Sequence, residues 1–360
     1  MKSSRMQASR RGIGLALAAA VLFGASAPFA KLLLTEAAPQ LLAGLLYLGS
    51  GLGLGIVWLR GRYSPEGARE TPLTRRNIPW LVAAIIFGGV LGPLLLMIGL
   101  TRTPASSASL LLNLEGVFTA LLAWFVFREN FDRRIALGML SIVAGGLALS
   151  WGGRLSWGGL AGPLAVAGAC LCWGIDNNLT QKVSAGDPVQ IAMLKGLAAG
   201  SVNTAIAFLL GAGLPAAPRV AGALVLGFLS YGVSLVLFVL ALRHLGTART
   251  GAYFSTAPFV GALLSLAIFR EQPTPLFIVA GALMALGVWL HLTERHEHEH
   301  EHVALDHDHA HVHDRHHQHA HSADDPPVTD PVPHTHRHRH APMVHSHPHY
   351  PDIHHRHAHD

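Results

Sequence analysis

The chain has 360 residues and a formal net charge of +5; 51% of its residues are hydrophobic and only 13% are charged. This composition excludes a water-soluble body, because apolar stretches of about 20 residues, long enough to cross a bilayer as helices, recur up to residue 292. No basic stretch is interleaved with aromatic residues, which excludes nucleic acid as a partner and favours loops that face anionic lipid.

The apolar stretches predict ten transmembrane helices, called spans one to ten below. They follow a polar segment at residues 1–11, and their connections are short and rich in turn residues, apart from a longer loop at 60–78. The lipid bilayer is therefore the first predicted partner. The predicted spans cover residues 12–34, 39–59, 79–101, 104–127, 134–151, 159–182, 188–212, 220–242, 247–269 and 274–292.

The placement of lysine and arginine predicts the orientation of the spans. Fifteen basic residues fall on one side and five on the other, and the positive-inside rule puts the richer side, with the N-terminus, in the cytoplasm. Ten spans return the C-terminus to the cytoplasm, as in a multi-pass protein of a bacterial inner (plasma) membrane. Residues 1–27 also resemble a signal peptide, but cleavage after Ala27 would leave Pro28 at the N-terminus, so an uncleaved span one is favoured.

An internal repeat relates the two halves of the chain. With an offset of 142 residues, the segment 100–129 aligns with the segment 242–271. Both segments end in an aromatic-Arg-Glu triplet, Phe127-Arg128-Glu129 in the first and Phe269-Arg270-Glu271 in the second. A match of two triplets at the same helix end indicates duplication and not only a shared apolar composition.

The beginning of each half carries a second match. Leu22-Phe23-Gly24 in span one aligns with Cys172-Trp173-Gly174 in span six. We therefore predict two five-helix repeats at 12–151 and 159–292, joined by a linker at 152–158. Because five is an odd number of spans, the repeats must have opposite orientations in the membrane.

With these features the chain resembles the drug/metabolite transporter superfamily, in its EamA-type ten-helix branch. The resemblance rests on the two five-helix halves, on the Phe-Gly or Trp-Gly pair in the first helix of each half, and on the fourth helix that ends in aromatic-x-Glu. The resemblance covers about residues 12–292. It implies an all-α integral membrane fold, alternating access between inverted halves, and a central site lined by helices one, three, four, six, eight and nine. Members of this branch move small solutes, commonly outward. One departure is that span nine keeps the usual proline, Pro258, whereas span four has Glu115-Gly116 there.

Polar residues in the middle of apolar spans are the candidates for a substrate-binding or coupling site. A charge at mid-membrane costs about 2.5–3.5 kcal/mol, so such residues usually face a cavity or each other. Glu115 and Asp176 are the predicted central carboxylates, and neighbouring amides are predicted to supply hydrogen bonds. The full candidate set is Glu115, Asn113, Asp176, Asn177, Asn178, Tyr231 and Lys195.

Structural interpretations of these residues stay open. Lys195 in span seven could form a buried ion pair with Asp176 or Glu115. Tyr231 and its neighbour Ser230 align with Gly88 and Gly89 of span three, two glycines that either open a cavity or allow close helix packing. Cys172 and Asp176 share a helical face and could bind a metal, although span six contains no histidine. No phosphate-binding loop and no nucleophile–base constellation is present, so neither ATP-driven pumping nor an enzyme is predicted.

The C-terminal tail at 293–360 is polar and contains 23 of the 25 histidines. It has no apolar periodicity, which predicts disorder in the absence of metal. Alternating histidines place successive imidazoles on one side of an extended segment, and neutral imidazole suits zinc, nickel, cobalt or copper. The predicted metal ligands are His296, His298, His300, His302, His307, His309, His311 and His313.

Together these features predict a secondary transporter that exports or exchanges a small-molecule solute and requires no cofactor. The sequence specifies neither the solute nor the oligomeric state. Two alternatives remain, and both involve the tail: an exporter of nickel, cobalt or zinc that uses Glu115 and Asp176 as transit ligands, and a membrane-anchored metal sensor or reservoir that transports nothing.

Overall fold

A computed structural model describes residues 2–62, 73, 75–127, 133–150, 157–183, 187–245, 250, 253–292, 297–302, 305–311, 334–340 and 343–348. In these ranges the body of the chain is helical, and short strands occur only in the tail. The α-helices are α1 Lys2–Gly24, α2 Ser26–Leu33, α3 Pro39–Arg62, α4 Ile78–Ala84, α5 Gly92–Arg102, α6 Ala105–Leu111, α7 Leu114–Phe127, α8 Arg133–Ser150, α9 Trp157–Gln181, α10 Pro188–Leu209, α11 Ala217–Gly227, α12 Ser234–Leu245, α13 Ala257–Phe269 and α14 Pro275–Leu292.

The predicted ten-span membrane fold is confirmed. Among the described residues, eight helical stretches are long and apolar enough to cross a membrane. Two shorter apolar helices, Ala257–Phe269 and Pro275–Leu290, lie at the positions of spans nine and ten.

Five of the described spans are interrupted where the sequence pattern predicts continuous helices; one of them is span nine, which has a turn at residues 255–256 before α13. Span one has a turn at Ala25 between α1 and α2, and span four has a turn at Leu112 and Asn113 between α6 and α7. Spans three and eight contain π-helical segments at Ile85–Leu91 and Phe228–Val233. Such interruptions in membrane helices leave backbone groups free for new partners, and they are tolerated where protein or a cavity satisfies those groups.

The helix contacts follow a twofold pattern. Spans two and seven pack together (α3 with α10), and so do spans five and ten (α8 with α14). The contact of span three with span six (α5 with α9) has its counterpart in that of span eight with span one (α12 with α1). Likewise α7 packs on α9 as α13 packs on α1. Every one of these contacts is preserved when the halves are exchanged, which is the pattern of two inverted five-helix repeats.

Glycines bring equivalent helices of the two repeats into close contact. A Cβ atom at Gly24 of span one would overlap the carbonyl oxygen of Ala257 and lie 3.2 Å from the backbone nitrogen of Gly261 in span nine. A Cβ atom at Gly174 of span six would lie 3.0 Å from the backbone nitrogen of Thr119 in span four. Gly261 and Thr119 are 142 residues apart, so the same crossing is built twice.

The buried apolar core runs through the centre of the bundle. Leu41, Leu96, Leu111, Ile142 and Met284 are each at most 2% exposed and come from spans two, three, four, five and ten. Large apolar side chains on the outside are more than half exposed, as expected for helices that face lipid; they include Phe125, Leu140, Leu147 and Leu263.

The described segments of the tail are short and extended, and they form two antiparallel pairs. β1 Glu297–His302 pairs antiparallel with β4 Met343–Pro348, and β2 Leu305–His311 pairs antiparallel with β3 His334–His340. The alternation of histidine with other residues has the two-residue period of a strand, and this period explains the extended pairing.

Candidate functional site

The break in span four positions Glu115 in the first turn of α7. At this break the side-chain Nδ2 of Asn113 donates to the carbonyl oxygen of Leu110 at 2.8 Å, and the backbone N–H of Glu115 donates to the carbonyl oxygen of Leu112 at 3.1 Å. Asn113 is buried, and its amide also lies 3.9 Å from Sδ of Met284. The amide of Asn113 therefore stabilises the turn, and it does not meet the Glu115 carboxylate.

The carboxylate of Glu115 meets span six at Asn177. Oε1 of Glu115 accepts a hydrogen bond of 2.9 Å from Nδ2 of Asn177, and the same nitrogen lies 3.2 Å from Oγ1 of Thr119, one helical turn further on. Glu115 is half-buried and Asn177 is exposed, although both lie in the middle of apolar spans. Asn177 is therefore accessible, while Glu115 is partly covered by its neighbours.

Side chains from four other spans lie within electrostatic range of Glu115. It interacts electrostatically with Asp176 of span six, Lys195 of span seven, Tyr47 of span two and Tyr231 of span eight. Polar and charged neighbours on four other spans are the expected surroundings of a carboxylate inside the bundle, because a lipid-facing position would have neighbours on one side only.

Asp176 and Lys195 form the buried ion pair that the sequence left open as an alternative. Nζ of Lys195 lies 2.6 and 2.7 Å from the two carboxylate oxygens of Asp176, which is 7% exposed. Oγ1 of Thr180 donates to the same carboxylate at 2.9 Å. On the other side, a Cβ atom at Gly88 would overlap the carboxylate of Asp176, so this glycine lets span three approach the pair.

The side chain of Asn178 connects spans four and six. Its Nδ2 donates to the carbonyl oxygen of Thr119 at 3.2 Å and to that of Gly174 at 2.9 Å, and the side chain is buried. The three consecutive polar residues of span six thus have different environments: Asp176 meets Lys195, Asn177 meets Glu115, and Asn178 meets backbone.

Tyr231 belongs to an aromatic group near these charges. Its ring centroid lies 5.4 Å from that of Tyr47 and 5.9 Å from that of Phe23, the latter in an edge-on arrangement. Tyr231 lies in the π segment of span eight. The structure thus brings together Glu115, Asp176, Asn177, Lys195 and Tyr231 around one centre, while Asn113 and Asn178 bond to backbone groups beside it.

Sequence reasoning missed four residues of this centre. Thr119 and Thr180 follow Glu115 and Asp176 by four residues, a spacing that places them on the same helix face and could have identified them. Tyr47 and Trp173 both donate to the carbonyl oxygen of Gly88, at 2.7 and 3.0 Å. That carbonyl is in the π segment of span three, and no sequence pattern predicted the segment.

A second polar group lies at one end of the bundle and joins the two repeats. Oε1 of Glu271, from the second repeat, accepts a hydrogen bond of 3.2 Å from the backbone N–H of Ala105, and Oε2 accepts one from the hydroxyl of Ser106. Arg270 ends α13 with a left-handed backbone (φ 52°), which turns the chain at Glu271. Nearby, Lys31 donates to the carbonyl oxygen of Thr103.

This end group borders a cavity of about 560 Å³. Lys31, Arg102, Ser106 and Glu271 are among the residues that line it. Sequence reasoning used Glu271 only as a marker of the internal repeat. The equivalent triplet residues Arg128 and Glu129 lie outside the described residues.

Within the described side chains, no group of three or more histidine, cysteine, aspartate or glutamate residues comes together to hold a metal ion. Cys170 and Cys172 are free and buried. Of the predicted tail ligands, His296 and His313 lie outside the described residues; the backbone of the other six lies on β1 and β2. The strand register places histidine opposite histidine at five positions: His298 and His347, His300 and His345, His307 and His338, His309 and His336, and His311 and His334.

A bundle of interrupted membrane helices in two inverted repeats, with an accessible polar centre, defines the class of membrane transporters. The chain matches the EamA-like transporter family over residues 10–151 and 160–293, and it belongs to that family. The resemblance to the drug/metabolite transporters is thereby confirmed. Members of the family are transporters and not enzymes, in agreement with the prediction.

Several known proteins are similar to this chain. An uncharacterized transporter of Methanothermobacter thermautotrophicus is 28% identical over 288 residues, which cover 76% of this chain and 84% of that protein. The uncharacterized transporter YyaM of Bacillus subtilis is 26% identical, over 62% of this chain and 75% of its own length. ArnE of Pseudomonas fluorescens, a probable 4-amino-4-deoxy-L-arabinose-phosphoundecaprenol flippase subunit, is 37% identical over 24% of this chain and 74% of its own length. A solved crystal structure has the same fold, with a TM-score of 0.58 at 18% identity, over 80% of this chain and 98% of that one.

Proposed function

We propose that this protein is a secondary transporter that exports or exchanges a small metabolite by alternating access between its two repeats. The observation that carries the proposal is the half-buried Glu115 at the break in span four of the first repeat, bonded to the exposed Asn177 of the second repeat and close to the ion pair of Asp176 and Lys195. In this proposal Glu115, Asn177 and Tyr231 contact the solute, and the ion pair of Asp176 and Lys195 borders the site. Asn113 and Asn178 hold the helices that carry it.

The contacts at the Glu271 end support alternating access. Glu271 of the second repeat bonds to Ala105 and Ser106 of the first, and Nζ of Lys31 lies 5.9 Å from the ring centroid of Phe269. Alternating access requires polar contacts of this kind between the repeats to break and re-form at each end of the bundle. On the positive-inside assignment this end faces away from the cytoplasm, with both termini cytoplasmic in a bacterial inner membrane.

Cysteine labelling tests whether the centre opens to each side in turn. Asn177→Cys, in a Cys170→Ala/Cys172→Ala background, is expected to react with a membrane-impermeant maleimide mainly from the cytoplasmic side. Adding Glu271→Gln, which weakens the contact with Ala105 and Ser106, is expected to raise labelling from the opposite side several-fold. Glu36→Gln is the matched control, because Glu36 pairs with Arg219 on the exposed surface. Labelling from neither side would contradict an accessible central site.

A growth screen tests what is transported. A strain that overexpresses the chain is grown against toxic metabolite analogues and against nickel, cobalt and zinc salts. Resistance to an organic analogue that is lost in Glu115→Gln, with membrane levels unchanged, is the expected result. Resistance to metals alone, lost both in Glu115→Gln and on removal of residues 295–360, would instead establish a metal exporter.

For the tail we propose binding of zinc, nickel, cobalt or copper, independent of the transported solute. The alternating histidines and the register that pairs histidine with histidine support this proposal, since neutral imidazole is a favoured ligand of these metals. After equilibration with Ni²⁺ and dialysis, the full chain should retain several ions by elemental analysis, and the 1–292 chain should retain none. Equal retention of Ni²⁺ by both chains would show that the metal binds outside the tail.

A further inference from the structure

The cavity at the Glu271 end of the bundle lies between the two repeats. Its volume is about 560 Å³, within the range of about 300–1,000 Å³ that is typical of small-molecule sites. Lys31, Arg102 and Ser106 line it from spans one, three and four of the first repeat. Glu271 and Phe277 line it from the second repeat. A ligand in this cavity would therefore contact both repeats.

Two basic residues of the cavity, Lys31 and Arg102, are not neutralised by direct contact with an acidic one. Within the described part of the chain, no carboxylate forms a salt bridge with either of them. Lys31 donates to the carbonyl oxygen of Thr103, which leaves two of the three N–H groups of its ammonium. Arg102 is exposed, and its guanidinium has no hydrogen-bond partner among the described residues. Both side chains thus keep donors for a ligand.

The acidic residue of the cavity, Glu271, already has partners from the protein. One of its carboxylate oxygens accepts from the backbone N–H of Ala105, and the other accepts from the hydroxyl of Ser106. Its charge acts on Lys31 only through space. Lys31 and Arg102 against Glu271 leave a net charge of +1 on the residues that line the cavity.

Neutral donors add to this positive charge. Ser107, Gln272 and Thr274 also line the cavity, and their hydroxyl and amide groups can donate to an anion. Oγ1 of Thr274 accepts a hydrogen bond of 3.1 Å from the backbone N–H of Phe277, so its own proton remains available. Leu266 and Phe277 supply an apolar part of the wall, against which a carbon skeleton can pack. The available donors therefore outnumber the available acceptors.

We infer that this cavity binds an anionic group, a carboxylate or a phosphate, between Lys31 and Arg102. Such groups only accept hydrogen bonds, and they bind most strongly to charged donors, in bidentate fashion to a guanidinium. A cation fits less well, because two positive side chains repel it and the oxygens of Glu271 already accept. On the proposed function, the anion belongs to a solute that leaves the bundle at this end. The headgroup of an anionic lipid offers the same chemistry.

Three small compounds that differ in the anionic group test this inference. The full-length chain in phosphatidylcholine nanodiscs is titrated by calorimetry with glycerol 3-phosphate, glycerate and glycerol. At least one of the two anions should bind about tenfold or more tightly than glycerol, since charge-assisted hydrogen bonds are stronger than neutral ones. Lys31→Met and Arg102→Gln should each lower this preference about fivefold or more, and the double variant should abolish it. Equal binding of all three compounds, or binding of none, would overturn the inference.

Three further variants separate the loss of charge from misfolding. Lys31→Arg keeps the charge and should keep the preference for anions. Arg219→Gln removes an exposed cation that pairs with Glu36, and it should leave the preference unchanged. Glu271→Gln removes the negative charge of the cavity and should strengthen anion binding several-fold, which misfolding could not do. An unchanged preference in Arg102→Gln, or the same loss in Arg219→Gln, would contradict a site at this cavity.

Lipid retention distinguishes the two sources of the anion. The chain is released from nanodiscs that contain equal amounts of phosphatidylcholine and phosphatidylglycerol, and its bound lipids are counted by native mass spectrometry. More phosphatidylglycerol on the wild type than on Lys31→Met/Arg102→Gln would assign the site to a lipid headgroup. Equal retention, together with binding of glycerol 3-phosphate or glycerate, would assign it to a soluble anion.

Counterflow in proteoliposomes separates this inference from the proposed function. Exchange of a solute by a chain that binds neither anion would leave the transporter intact and show that the anion site is wrong. Anion binding that depends on Lys31 and Arg102, without exchange of any solute, would support the site and contradict transport.

Discussion

The first repeat has its π segment at Ile85–Leu91, and the second has its own at Phe228–Val233, within one residue of the 142-residue offset. The turns in spans four and nine, at residues 112–113 and 255–256, are related in the same way. The charges of the centre are not repeated. By the 142-residue offset, Glu115 aligns with Ala257. Asp176 aligns with Ser26 when Gly174 is matched with Gly24. The two repeats thus have the same interrupted backbone and different chemistry.

This difference separates the role of the scaffold from that of the site. In alternating access, two inverted copies of one interrupted helix set can exchange conformations, because each helix contact made by one repeat has a counterpart in the other. A solute, however, is asymmetric and needs a single set of polar partners. We propose that Glu115 from the first repeat, with Asp176 and Lys195 from the second, forms such a set.

The largest effect is expected from the ion pair that only the second repeat contains. Lys195→Met leaves Asp176 buried and unpaired, which should lower the free energy of unfolding by about 3–5 kcal/mol. The double variant Lys195→Met/Asp176→Asn should recover much of this loss. Denaturant unfolding in mixed micelles measures both.

A control comes from the first repeat, where residues 39–59 of span two carry no charge and Ser26 stands at the position of Asp176. Ser26→Ala should lower the free energy of unfolding by about 1 kcal/mol or less. If Lys195→Met were no more harmful than Ser26→Ala, or if the double variant were as unstable as the single one, the pair would have no stabilising role.

An intermediate effect is expected at Gly88, because its equivalent in the second repeat, Ser230, already carries a side chain. Gly88→Ala places a methyl group against the carboxylate of Asp176, and we expect a loss of about 1–3 kcal/mol in the free energy of unfolding. Gly14→Ala, in a helix where an added Cβ would meet no atom within 4 Å, should be neutral or stabilising by up to about 1 kcal/mol. Equal stability of the two variants would contradict the close approach of span three to Asp176.

The sequence predicted the parts of this protein that depend on pattern. Runs of apolar residues identify the spans, and the paired triplets identify the repeats, because both are local and linear signals. Glu115 and Asp176 were identifiable because a charge is rare in an apolar span. Tyr47 and Gly88 were not identifiable, because tyrosine and glycine are common in membrane helices. Their hydrogen bond forms only because the π segment of span three leaves the carbonyl oxygen of Gly88 free to accept it. Which carboxylate pairs with Lys195 also depends on helix packing, which no local pattern contains.

The smallest effect is expected at the helix break, where the two repeats reach the same geometry with different side chains. Asn113 donates through Nδ2 to the carbonyl oxygen of Leu110, and in the second repeat Oγ1 of Thr256 donates to the carbonyl oxygen of Tyr253 at 2.6 Å. Each donor lies three residues after its acceptor. Asn113→Thr should therefore keep the break and the stability, whereas Asn113→Leu should lose about 1 kcal/mol in the same unfolding assay, the usual value of one hydrogen bond. If Asn113→Thr were as unstable as Asn113→Leu, the contact with Met284 and not the turn would be the important one, and the two breaks would not be equivalent.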